Sequence, residues 1–190
     1  MATYLGGILL WLAPAAIGSF FNDRIKLWLI LVIFLTTFII PLIGLVILKL
    51  TSSISSFQLP EKEERVVPFF FIAIFYGIAA YLMVSRLNIS GAVNVIFISM
   101  ASLVLVACFI TIFLKISIHS TGMFGVLGFL LALNWEVPDS IPVWVVIIWV
   151  LFTGYTISSR LYLNVHRPAE IYVGAVLGFV FSFISIIIFV

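Results

Sequence analysis

Long apolar runs alternate with short polar breaks along this chain. The runs fall at about 4–21, 27–48, 67–85, 91–114, 118–134, 141–158 and 169–189. The breaks are NDRIK at 22–26, TSSISSFQLPEKEER at 51–65, SRLN at 85–88, KISIHS at 115–120, NWEVPDS at 134–140, and a segment from Ser159 to Pro168. Each run comes close to the ~20 residues an α-helix needs to cross a bilayer core. The pattern predicts an all-α, polytopic transmembrane helical bundle of six to seven spans, in a single integral membrane domain covering 1–190. Two runs fit least well: the first carries Pro14 and two early glycines, and the fifth is short and glycine-bearing.

Seven spans imply two sets of loops. The loops at 51–66, 115–119 and 159–168 share one membrane face, and those at 22–26, 86–90 and 135–140 share the other. His119, His166, Lys62, Arg65, Lys115, Arg160, Arg167 and Glu170 all fall on the first face. An unusual share of the reactive side chains thus meets at one boundary.

Composition sharpens the class. Hydrophobic residues make up 65% of the chain and charged residues 8%, and the mean hydropathy is +1.39, far above soluble domains. The net charge of +2 has no basic tract behind it, so nucleic acid is not an expected partner. The lone cysteine, Cys108, excludes a disulfide framework or a cysteine metal site and reads as a small buried apolar residue. The start, MATYLGGILLWLAPAAIGSFF, lacks a positively charged leader pattern and reads as a retained first span.

The densest polar cluster is SRLYLNVHRPAE, 159–170. Pro168 suits the first position of a helix, where its missing N–H is not needed. Glu170 then sits in the first turn, favoured there by the helix dipole, and can reach back toward His166. A carboxylate accepting from Nδ1 fixes the imidazole tautomer and leaves Nε2 free as nucleophile or base. Arg160 offers a planar fork for phosphate oxygens, Ser159 a hydroxyl donor, and the helix start its free N–H groups. The same residues also suit plainer roles: snorkelling arginines, a helix cap and an interfacial histidine. A second segment, KISIHSTGM at 115–123, puts Ser117 and His119 at another helix start, as a phosphate ligand and general acid or as a simple cap and interface residue. In PEKEERVVP, 60–68, Arg65 is a further phosphate-binding candidate; Lys62, nearly neutralised by three glutamates, is a weaker one.

SRLYLNVHRPAE resembles the third signature of the phosphatidic acid phosphatase type 2 superfamily, SRxxxxxHxxxD, with Glu170 in place of aspartate. ISIH, 116–119, is similar to the second signature, PSGH, in Ser117 and His119 alone. The first signature, KxxxxxxRP, is poorly met: Pro68 does not adjoin Arg65, and Lys62 lies only three residues before it. The resemblance implies a metal-independent phosphatase or pyrophosphatase of membrane lipids, without a cofactor. His166 would be the nucleophile, Glu170 its orienter and His119 the acid; Arg160, Ser117, Arg65, Ser159 and Lys62 would hold phosphate. It also favours a bacterial inner membrane with an extracytoplasmic site. The lysine and arginine tally, six to three for that same face, would by itself place the face in the cytoplasm.

Two other readings remain at this point. Ile116, Ile118 and Glu170 depart from the signatures and would suit a degenerate protein that binds a phosphate headgroup without turnover. A transporter or channel subunit would carry charges in mid-span, whereas these lie at span ends. The residues name neither the lipid, for which phospholipid and polyprenyl phosphates fit equally, nor the oligomeric state. The aromatic stretch PFFFIAIFY, 68–76, either faces lipid or lines an acyl groove.

Overall fold

A computed structural model describes the backbone of residues 1–17, 21–54, 63–86 and 91–190, and their side chains except at 17, 63–65 and 86. Among the described residues the protein is helical throughout, with no strand. The helices are α1 (Ala2–Gly7), α2 (Asp23–Phe34), α3 (Ile40–Leu50), α4 (Glu63–Arg86), α5 (Gly91–Phe113), α6 (Ile118–Glu136), α7 (Val143–Tyr162) and α8 (Pro168–Phe189). Among the described residues six segments are long and apolar enough to cross a membrane, with α2 and α3 counted as one rod. The protein is an all-α integral membrane bundle.

The first apolar run does not form the uninterrupted span expected over 4–21. After α1 the chain enters a π turn (Ile8–Leu12), breaks at Ala13 and continues as a 3-10 turn (Pro14–Ile17). Proline disfavours the α conformation in the residue before it, and Ala13 accordingly leaves helical geometry at φ −140° and ψ 50°. The segment is still an internal element: Ala2, Leu5, Leu9, Leu10 and Ala13 are buried. Met1 lies against Gly122 near the start of α6. Phe21 meets Leu29, Met83 and Val93 at the other end of the bundle.

The second run is longer than its apolar core. Asn22 caps α2 by accepting the Ile25 N–H at 2.9 Å, so Asp23 to Lys26 form a first turn rather than a loop. A π turn (Leu35–Ile39) joins α2 to α3, and the Ile40 N–H reaches back to the Leu35 carbonyl. Pro41 follows immediately, so the register shift falls where a proline would have left an i−4 carbonyl unpaired.

The remaining spans start and stop within a few residues of the apolar runs. α6 and α8 are parallel and in intimate contact through their glycines. A Cβ added at Gly174 would stand 2.7 Å from the Ser117 carbonyl oxygen, and one at Gly128 would stand 2.6 Å from that of Phe179. At Gly178 it would collide with the Thr121 carbonyl. Small residues let transmembrane backbones approach this closely, which apolar side chains of ordinary size forbid. Two of the glycines that weaken the fifth run as a helix, Gly125 and Gly128, therefore form part of the surface that joins α6 to α8. The indole N–H of Trp149 adds a tie from α7, donating to the Met123 carbonyl at 2.9 Å.

Candidate functional site

The starts of α6 and α8 lie side by side, and the end of α7 closes on them. Three local devices build this arrangement. The last turn of α7 ends in a left-handed cap: Asn164 adopts φ 52°, its N–H donates to Leu161, and the Val165 N–H donates to the Arg160 carbonyl. Asparagine tolerates that conformation better than most residues. Arg167, extended at φ −79° and ψ 153°, then precedes Pro168 at the first position of α8. The six-residue interval from Arg160 to His166 is thus one helix cap plus the approach to the next helix.

The second device is the Ser117 cap of α6. Its hydroxyl oxygen accepts the Ser120 N–H at 3.4 Å, and its carbonyl accepts both the Thr121 N–H and the Thr121 hydroxyl. The third stitches this turn to α8: the Ser117 N–H donates to the Glu170 carbonyl at 3.1 Å, and the Ser120 hydroxyl donates to that of Ile171 at 2.8 Å. Ser117, Ser120 and Thr121 are buried. Any movement of one helix start is passed directly to the other.

On this scaffold Glu170 reaches back one turn, and its Oε2 lies 2.8 Å from Nδ1 of His166. Both side chains are largely enclosed, at 14% and 13% exposure. A carboxylate acceptor at this position favours the tautomer in which Nδ1 is the donor. His119, exposed in the first turn of α6, lies close enough to Arg160 and His166 for both their charges to act on it. Two imidazoles and a guanidinium from three separate segments therefore share one locale. Two helix N-termini open onto it, which adds positive potential for an anion.

The other sequence candidates are placed differently. The Ser159 hydroxyl donates to the Tyr155 carbonyl at 2.8 Å, so its proton is engaged within α7. Lys62 and the side chain of Arg65 lie outside the described residues. One participant was missed: Lys115 Nζ stands 3.8 Å from the same Glu170 Oε2 that holds His166. Its position two residues before Ser117 was the available signal, but it reads equally as a boundary charge.

Beside the helix starts, an apolar cavity of about 120 Å³ runs between α4, α5 and α6. Ile118 and Gly122 border it near the histidine end, with Phe69, Tyr76, Leu103 and Phe129 among its other walls. The aromatic stretch 68–76 thus divides its faces: Phe69 and Tyr76 line this cavity, and Phe70 points outward at 54% exposure.

Comparison with known proteins places this region. The family model of the PAP2 superfamily matches residues 108–190, from the last turns of α5 through α8. That superfamily generally comprises phosphatases. The matched region contains Ser117, His119, Arg160, His166 and Glu170, and begins after the first-signature candidates Lys62 and Arg65. No curated protein and no solved structure matches the chain.

Proposed function

We propose that this protein is an integral membrane phosphatase of lipid phosphates or diphosphates, working through a phosphohistidine on His166. The carrying observation is the 2.8 Å pair of His166 Nδ1 with Glu170, set beside His119 and Arg160 at two joined helix starts. The substrate phosphate sits over those starts, its nonbridging oxygens met by the Arg160 guanidinium and by backbone N–H groups of α6. Nε2 of His166 attacks phosphorus, the P–O bond to the lipid breaks, and His119 gives its proton to the departing oxygen. The positive charge that develops on the His166 ring is balanced by Glu170. A water, deprotonated by His119, then attacks the phosphohistidine and releases inorganic phosphate, and His166 returns to its starting state.

Ser117 supports this arrangement by holding α6 in register with α8, and its enclosed hydroxyl faces the same turn. The apolar cavity beside Ile118 supports a substrate with a hydrocarbon chain rather than a soluble phosphate ester. Arg65 and Lys62 complete the proposed phosphate-binding set, and the site faces the extracytoplasmic side.

The test is a panel of phospholipid and polyprenyl phosphates given to purified protein in detergent with a chelator present. Vanadate-sensitive phosphate release is expected, with at least a ~10³-fold loss in His166→Ala. An acid-labile phosphoryl group on the His166 peptide is expected after quenching. Full activity in His166→Ala would remove the nucleophile.

A second reading is favoured by one feature, the departure of Ile116, Ile118 and Glu170 from the family signatures. On that reading the protein binds a lipid phosphate headgroup without hydrolysing it. Saturable headgroup binding with no phosphate release across the whole panel would select it.

A further inference from the structure

His166 and Lys115 converge on a single oxygen, Glu170 Oε2, at 2.8 and 3.8 Å. Lys115 comes from the connection between α5 and α6, which is fixed to α8 by the bond from the Ser117 N–H to the Glu170 carbonyl. Its side chain is 32% exposed, more open than either partner. The lysine therefore caps a nearly enclosed His–Glu pair from its outer side.

We infer that Lys115 is a positioning residue that sets the protonation of His166 through the shared Glu170 carboxylate. The physical argument is a competition. An isolated carboxylate bonded to Nδ1 stabilises the imidazolium and keeps the ring protonated to higher pH, when Nε2 is no longer a nucleophile. An ammonium on the same oxygen withdraws part of that stabilisation and repels the ring's positive charge. Among the described residues, Glu170 from α8 pairs with His166, Lys115 from the α5–α6 connection shares that carboxylate, and His119 from α6 with Arg160 from α7 lie in the same locale. The Met1 ammonium also acts on His119, and the side chains at the start of α4 lie outside the described residues. Of these groups, Lys115 is the one that touches the orienting carboxylate itself. This inference rests on the proposed role of His166, but it concerns the state of the ring and not the substrate.

The experiment compares the full-length protein with Lys115→Met and Lys115→Arg in detergent. Diethylpyrocarbonate acylates neutral imidazole, and mass spectrometry of the separate peptides reports His166 and His119 individually across pH. In Lys115→Met the midpoint for His166 acylation is expected to rise by about one pH unit, a tenfold lower rate at fixed acidic pH. The acid limb of kcat/KM is expected to move with it. Lys115→Arg, which keeps the cation, is expected to restore the wild-type midpoint. A midpoint unchanged in Lys115→Met overturns the inference. So does a raised KM with an unmoved midpoint, which would make Lys115 a headgroup contact. Equal shifts in both variants would trace the effect to disturbed structure and overturn it as well. A Lys115-dependent midpoint in a protein that hydrolyses no lipid phosphate would instead overturn the phosphatase reading and leave this one standing.

Discussion

α6 and the α2–α3 rod are both apolar enough to cross a bilayer, yet 56% of the α6 span is buried inside the protein against 17% of the rod. The two differ in what surrounds them. α6 is enclosed by α5, α7 and α8 and meets α8 backbone to backbone, through glycines that leave no space for a methyl group. The rod turns Trp28, Phe38, Ile43 and Ile47 outward. Where it meets α4, Phe71 lies over Gly44. Apolar side chains have no reason to prefer one another over lipid tails, so close steric fit has to supply the specificity of helix pairing in a bilayer. That fit is concentrated between α6 and α8, the helices whose starts carry the candidate chemistry, and relaxed in the rod, which carries none.

The contrast can be broken by making the same change in both regions. Gly178→Ala drives a methyl into the fixed Thr121 carbonyl, and a loss of about 3 kcal/mol is expected, seen as a lower thermal midpoint in detergent. Gly44→Ala meets only the Phe71 ring, which can turn aside, and alanine favours the helix. A change within about 1 kcal/mol is expected there. Equal losses would show that the two regions are held by the same kind of packing.

Next in size, Glu170→Gln keeps the shape of the side chain but removes the charge that orients His166. A 10- to 100-fold fall in turnover is expected, with the thermal midpoint unmoved. A matching fall in stability would mean that the pair serves the fold of the tight region rather than its chemistry. A smaller effect is expected at the α7 cap. Asn164→Val places a β-branched residue at φ 52° and costs roughly 1–2 kcal/mol, while Asn164→Gly is neutral. If both variants keep turnover at the wild-type level, the cap between Arg160 and His166 does not set their spacing. The smallest effect belongs to the rod. Pro41→Ala gives back a backbone N–H beside a π turn that already accommodates its absence, and a change below about 1 kcal/mol is expected, with turnover intact.

Much of the site was legible because it is local. His166 and Glu170 are four residues apart across a helix start marked by Pro168, so their meeting follows from helical geometry. Ser117 is likewise a cap that its own neighbours define. The convergence of the two segments was legible only as a shared membrane face, since hydropathy sorts residues by depth and side but not by lateral position. Lys115 shows that limit. Nothing within KISIH says that its ammonium meets a carboxylate from another helix. The broken first span shows another, because an apolar run is equally compatible with lipid and with a protein interior, and only Pro14 hinted at the break.

The sequence by itself determined that the chain crosses a membrane several times, where most helices start and stop, and that both histidines lie on one face. These follow from the cost of exposing backbone and charge to hydrocarbon, which each segment meets alone. Tertiary structure alone decided that α6 and α8 lie against each other, that the first apolar run threads the interior, and that one Glu170 oxygen serves both His166 and Lys115. Those depend on which surfaces fit when every surface is apolar, and fit is a property of pairs of helices that no single stretch of residues contains.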